Sequence, residues 1–181
     1  LEVLMFTDTH CHLYKEYYDN IDEVIKESHK ENVDKYIISG TTFNNSLEGL
    51  ELADKYDECY CTVGLHPEDI TDGELEKIID LIKKNKDNKK MVAIGEIGLD
   101  YHWNKENKEV QIEVFEEQLK LAQELGLPVI IHAREATMDT LNIIKKYNVI
   151  GVLHSYSGSL EIAKEYIKRG FYFGSEISGF K

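Results

Sequence analysis

Cysteine is scarce in this chain: three residues in 181, Cys11, Cys59 and Cys61. The count is odd and the spacing forms no framework. That excludes a disulfide scaffold and points to a reducing cytosol. Cys59 and Cys61 share one face of a strand-like run, where buried small hydrophobes are a simpler reading than a metal or redox pair. No apolar run approaches the ~20 residues of a membrane span. No charged, apolar and small-residue leader opens the chain. These absences set the expectation of a cytoplasmic protein with no membrane partner, and no protein partner is indicated. Proline occurs twice, each time at a strand boundary: Pro67 ends one strand just after His66, and Pro128 opens another. No Gly-x-Gly-x-x-Gly follows any strand, which weakens a nucleotide-binding doubly wound sheet. Positive charge is also short, and the net charge is −13. Proteins that grip nucleic acid by bulk electrostatics are usually basic. Any polyanion must therefore be met here by bound cations and a few local basic groups.

The residues that are present alternate between two periods. Val3–Thr9, Tyr36–Ser39, Cys59–Leu65, Met91–Ile97, Val129–Ile131, Val149–Leu153 and Phe171–Phe173 read as short apolar strands. Between them lie amphipathic helices, with stripes such as Ile21/Val24/Ile25, Leu75/Ile78/Ile79/Ile82 and Ile112/Phe115/Leu119/Ala122. The helix from about Glu106 to Leu125 stops at Gly126. Ser46 is the expected cap of the helix carrying Leu47, Leu50 and Ala53, with Glu48 in its first turn. Lys83–Lys90 reads as a solvated connector. Unbroken strand–helix alternation predicts an α/β fold with a parallel sheet covered by helices. Seven strands suggest a TIM (β/α)8 barrel lacking its C-terminal strand and helix, since a complete barrel needs ~250 residues. Residues 1–181 are expected to form one domain, truncated at the C-terminus. Either Met5 is the native start and Leu1–Leu4 are foreign, or Leu1–Leu4 are native and lengthen the first strand.

His10 and His12 lie two apart at the end of the first strand, so they share a face. On its own His-x-His is a weak signal, because core and surface histidines produce it too. Here, however, His66, His132 and His154 each follow a later strand, and Glu96 sits near the end of another between Gly95 and Gly98. A carboxylate among apolar strand residues is expensive to bury unless it is paired or metal-bound. In a barrel the C-terminal ends of the strands carry the chemistry. Histidines around one carboxylate are enough for two metals, which point to hydrolysis of an ester or amide, most naturally a phosphodiester.

The runs Asp8-Thr9-His10-Cys11-His12-Leu13, Val63-Gly64-Leu65-His66-Pro67, Ala93-Ile94-Gly95-Glu96-Ile97-Gly98-Leu99-Asp100-Tyr101, Pro128-Val129-Ile130-Ile131-His132-Ala133-Arg134 and Gly151-Val152-Leu153-His154-Ser155-Tyr156-Ser157-Gly158 resemble the TatD family of metal-dependent deoxyribonucleases. The resemblance spans Met5 to Lys181 and implies a TIM-barrel hydrolase of the amidohydrolase superfamily. It implies that His10, His12 and Glu96 hold one divalent ion, and that Glu96, His132 and His154 hold a second. Glu96 would be the bridging, catalytic carboxylate. His66 matches the family position that meets substrate phosphate. Arg134 is a further phosphate contact, or else a salt-bridge partner of Glu135. Asp100 and Tyr101 would support the site from behind or line the channel, and Asp8 would lie one layer deeper than the two histidines.

The activity implied is cleavage of DNA phosphodiesters by a two-metal-activated water, as a 3′–5′ exonuclease on single strands or 3′ ends. Mg²⁺ is the expected activator, with Mn²⁺, Zn²⁺, Ni²⁺ or Fe²⁺ as other occupants. Two alternatives stand beside it: an amidohydrolase-type enzyme acting on a small ester or amide, and an inactive binding fragment. Family members continue into an eighth strand whose aspartate completes the site. Nothing after Gly179-Phe180-Lys181 supplies that residue, so these 181 residues are expected to be inactive alone.

Overall fold

Strand and helix alternate throughout the computed structural model, which describes residues 5–103 and 105–174. The order is β1 (Phe6–Cys11), α1 (Ile21–Lys30), β2 (Val33–Ile38), α2 (Phe43–Lys55), β3 (Cys59–Val63), α3 (Glu74–Asn85) and β4 (Met91–Asp100). It continues through α4 (Lys108–Leu125), β5 (Val129–Arg134), α5 (Thr137–Ile144), β6 (Gly151–Leu153), α6 (Leu160–Ile167) and β7 (Phe171–Phe173). The described strands form one seven-stranded sheet in sequential order β1 to β7. Every neighbouring pair is parallel. The sheet curls on itself: the His10 ring, on β1, stacks on that of His154, just past β6, with centroids 3.6 Å apart. This is the (β/α)8 barrel architecture through its seventh strand. Leu1–Leu4 and the region of the expected eighth strand lie outside the described residues.

The central strands are buried on both faces, as parallel strands between helices must be. Ile38, Val63, Ile94, Ile97 and Ile131 are fully buried, while β1 is largely exposed along its length. α4 docks on β4 through the expected Phe115, Leu119 and Ala122, which are fully buried, joined by Gln111 and Gln118; Ile112 is only partly buried. Burying Phe115 contributes about 1.5–3 kcal/mol. The two glutamines remain polar because each satisfies backbone groups at the sheet's C-terminal rim.

Several element boundaries differ from those read in the sequence. Thr42, not Ser46, caps α2, its side chain accepting from the Asn45 N–H at 3.1 Å. Ser46 is buried one turn further on, against Gly64, and Glu48 accepts instead from the Lys15 N–H. α3 runs on to Asn85, into the expected connector. β4 and β5 are longer than expected because their register continues to the pair Asp100↔Arg134. Glu96 and His132 therefore sit inside strands rather than at their ends.

Candidate metal centre

Glu96 is the hub. Its carboxylate is almost entirely buried, at 3% exposed, and five imidazoles surround it. Oε2 lies 3.3 Å from His10 Nε2 and 3.9 Å from His12 Nε2. Oε1 lies 3.2 Å from His132 Nδ1, 3.9 Å from His66 Nε2 and 4.0 Å from His154 Nε2. The backbone aims this carboxylate inward. The β4–β5 register shifts between Ile94 and Ile97, and such irregularities re-aim side chains. The Gly95–Glu96 peptide is cis. The Glu96 N–H donates to the Gly40 carbonyl at 2.6 Å. Buried Thr62 donates to the Gly95 carbonyl and accepts from the Gly40 N–H. Gly98 has φ +147°, and a Cβ there would stand 1.9 Å from the His132 carbonyl oxygen. Only glycine allows β4 and β5 to approach this closely.

Three of the five histidines are oriented by a second group. His10 Nδ1 is 3.0 Å from Ser39 Oγ. Ser39 is itself buried, and its carbonyl accepts from the Tyr14 hydroxyl. His132 Nε2 is 2.9 Å from Asp100 Oδ2. His66 Nδ1 accepts the Glu68 N–H at 3.3 Å. In a neutral His66 the proton therefore belongs on Nε2, the nitrogen facing the site. α4 fixes the rim: the Gln118 carboxamide accepts from the Leu65 N–H and donates to its carbonyl, just before His66. Gln111 does the same to Asp100.

The protonation states follow from this geometry. Burial alone would raise the Glu96 pKa, but the His132 hydrogen bond and the neighbouring His10 and His66 outweigh it and hold the carboxyl down to about 2. Burial pushes His66 down to about 4, with Glu96 offsetting only part of the effect. His66 is thus neutral at physiological pH. His132 goes the other way: burial lowers its pKa, but hydrogen bonds to Glu96 and Asp100 together raise it above the usual imidazole value.

This donor set fits divalent cations. His10 Nε2 and His12 Nε2 face each other at 3.1 Å, so a proton or a cation must lie between two lone pairs. Two triads have their donor atoms within 4.8 Å of one another: His10, His12 and Glu96, and His66, Glu96 and His132. The centre opens into a cavity of about 350 Å³ whose walls include Glu68, Asp69, Glu96 and Asp100, with Arg134 as a cationic group. Such a pocket attracts metal ions and repels a bare phosphate.

A family model described as TatD related DNase matches residues 7–180. The chain belongs to this family. Among TatD relatives, it is 41% identical over 180 residues to "Uncharacterized metal-dependent hydrolase YabD" of Bacillus subtilis, covering 96% of this chain and 70% of YabD. It is 34% identical to the "3'-5' ssDNA/RNA exonuclease TatD" of Citrobacter koseri, covering 84% of this chain and 60% of that protein. The crystal structure of YJJV, a TatD homolog from Escherichia coli K12, superposes with a TM-score of 0.85 at 32% identity, covering 93% of this chain and 66% of that one. The chain thus spans roughly two thirds of the length of these TatD relatives.

Within this TatD-family site the structure brings His10, His12, His66, Glu96, His132 and His154 into one cluster. His66 Nε2 and His154 Nε2 stand at nearly the same distance from Glu96 Oε1, 3.9 and 4.0 Å; His66 lies close to His132 as well, and His154 stacks on His10. Arg134 is exposed and lies over the Trp103 ring. Glu135 does not take it: that carboxylate is bound by His102 and Lys105. Asp8 is exposed rather than in the core, and accepts from the His10 N–H. Tyr101 points to Asp139, away from the carboxylate hub. The sequence reading had no signal for Ser39, Thr62, Gln111 or Gln118, which look like ordinary polar positions. A glutamine on the inner stripe of α4 is the one mark that would have exposed the last two.

Proposed function

We propose that this chain forms the body of a divalent-metal-dependent hydrolase that cleaves DNA phosphodiesters, working from the 3′ end. The observation that carries the reading is the buried Glu96 carboxylate ringed by five histidines at 3.2–4.0 Å. His10, His12 and Glu96 would hold one ion, and Glu96, His132 and His154 a second, with Glu96 shared. When bound, such a pair supplies Lewis acidity for activating water and neutralising charge on a phosphoryl oxygen.

The chain's own residues do the rest. Glu96, held ionised, would offset the mutual repulsion of two cations held side by side. Neutral His66 presents its Nε2–H to a phosphate oxygen as a donor. Arg134 at the rim adds a guanidinium, whose fork matches phosphate. Asp100 fixes the His132 ring. The acidic walls exclude polyanions unless metal is present, which reconciles a net charge of −13 with a DNA substrate. The name of the Citrobacter relative supports both the substrate and the direction of digestion. Three free cysteines fit a reducing compartment, so we place the activity in the cytoplasm. No helix among the described residues is long and apolar enough to cross a membrane.

The test is to incubate the protein with 5′-labelled single-stranded DNA and Mg²⁺ or Mn²⁺. Stepwise shortening from the 3′ end that EDTA stops is expected, and His132→Ala should lose bound metal and turnover together. Turnover of small esters or amides without DNA cleavage would overturn the nuclease reading in favour of the amidohydrolase-type alternative. Binding without any turnover would make the protein an inactive binding module.

A further inference from the structure

Trp103, the only tryptophan of the 181 residues, is 65% exposed. An indole in water forgoes the burial that a large aromatic ring normally gains. Its position is nevertheless firmly tied to the metal centre. The Asp100 carboxylate does two jobs: Oδ2 holds His132 at 2.9 Å, while Oδ1 accepts the N–H groups of His102 and Trp103 at 2.8 and 3.1 Å. The same carboxylate therefore fixes both a candidate metal ligand and the turn that presents the indole. A second tie comes from the β5 side. Glu135 binds His102 Nδ1 at 2.8 Å and Lys105 Nζ at 3.2 Å, clamping the residues on either side of the indole. The His102 ring meets Trp103 edge-on, with centroids 4.6 Å apart.

The neighbour of the indole gives the position its chemistry. The Arg134 guanidinium carbon lies 5.3 Å from the Trp103 ring centre, and Arg134 also lines the cavity above Glu96. A flat π surface and a guanidinium thus stand together at the mouth of a site built for cations. Single strands are recognised by that combination: bases stack on an aromatic ring while cationic groups follow the phosphates.

We propose that Trp103 is a nucleobase platform. A base of the strand being digested stacks on the indole, and Arg134 meets a phosphate between that base and the metal centre. This rests on the nuclease reading above and adds to it a subsite for a base, independent of base identity, since every base has a π face. A substrate with phosphates and no bases should enter the metal centre but lose this contact.

The experiment measures binding, not turnover. The probes are a fluorescein-labelled thymidine tetranucleotide and an abasic tetramer of the same length, both with phosphorothioate linkages to block hydrolysis, in Mg²⁺ buffer. Anisotropy gives affinity, and tryptophan emission reports stacking directly. The expected result is that the thymidine tetramer quenches Trp103 emission and binds about five- to 150-fold tighter than the abasic one, the span of one base–aromatic stack. Trp103→Leu should bring the two affinities together, and Trp103→Phe, which keeps a ring, should restore most of the difference. If both tetramers bind alike to the parent chain, or Trp103→Leu leaves the difference intact, the platform is wrong while the nuclease reading stands. If neither binds, the nucleic-acid reading itself fails and the platform with it.

Discussion

Asp100 backs His132: its Oδ2 lies 2.9 Å from His132 Nε2, while the other ring nitrogen faces Glu96 at 3.2 Å. An imidazole between two carboxylates is oriented, and its basicity raised, before any ion arrives. Groups that hold a ligand's far nitrogen in this way typically contribute 10–100-fold to metal affinity. Asp100→Asn keeps the shape and removes the charge. Its metal affinity, measured by competition with a chelating dye, is expected to fall within roughly that 10–100-fold range. Unchanged affinity would remove Asp100 from the metal centre's support.

The same arrangement links metal uptake to pH. The His132 pKa is raised in the metal-free fold above its ordinary 6.5. The stability from its charged hydrogen bonds is therefore fully present below that value and lost as pH rises through the higher folded pKa. A metal must displace this proton. The rise in melting temperature caused by added Mn²⁺ should thus be small near pH 6 and grow towards about pH 8. Calorimetry in buffers of different ionisation enthalpy should show proton release on binding. A metal-induced shift that does not vary with pH would contradict the protonated His132.

Gln118 anchors the strand end that carries His66. Gln118→Leu removes the partners of both the Leu65 N–H and its carbonyl, in a position shielded from water. Each unsatisfied buried group costs about 1–3 kcal/mol. Urea unfolding should show a loss of at least about 2 kcal/mol. Gln111→Leu should behave similarly at Asp100, with an added loss of metal affinity because Asp100 holds His132. Stabilities equal to the parent's would show that water replaces the carboxamides.

Gly98 leaves no room for a methyl group. An alanine Cβ would stand 1.9 Å from the His132 carbonyl, on backbone with φ +147°. Overpacking costs typically 1–3 kcal/mol, and here the clash is with backbone, which cannot rotate away. Gly98→Ala is expected to lower thermal stability by that amount or more and to reduce bound metal through displacement of β5. A variant that melts with the parent and binds metal fully would refute this packing.

Gln111, Gln118 and Ser39 show where reading the chain stops. The strand–helix order, and the placing of His10, His12, His66, Glu96, His132 and His154 near one end of the sheet, were legible because they follow from short-range periodicity. Apolar runs mark strands, amphipathic stripes mark helices, and parallel strands put their C-terminal ends on one side. Boundaries were less legible. The apolar run of the fourth strand ends at Ile97, yet β4 continues to Asp100 because β5 pairs with it. Ser46 is a good cap by type, but it is drawn into packing against Gly64 and Thr42 takes the cap.

The sequence by itself determined the fold class and the gathering of five histidines and Glu96 at one end of the strands, since both depend on residue type and spacing along the chain. Only the tertiary structure decided which donors meet. It put His66 with Glu96 and His132, set His154 on His10, turned Asp100 to His132, and gave Arg134 to Trp103 rather than to Glu135. Those contacts join residues up to 144 positions apart, as in the pair His10–His154. Periodicity fixes which face of an element a side chain occupies, but not which other face it meets. That choice is made by how the sheet curls and how closely its strands approach.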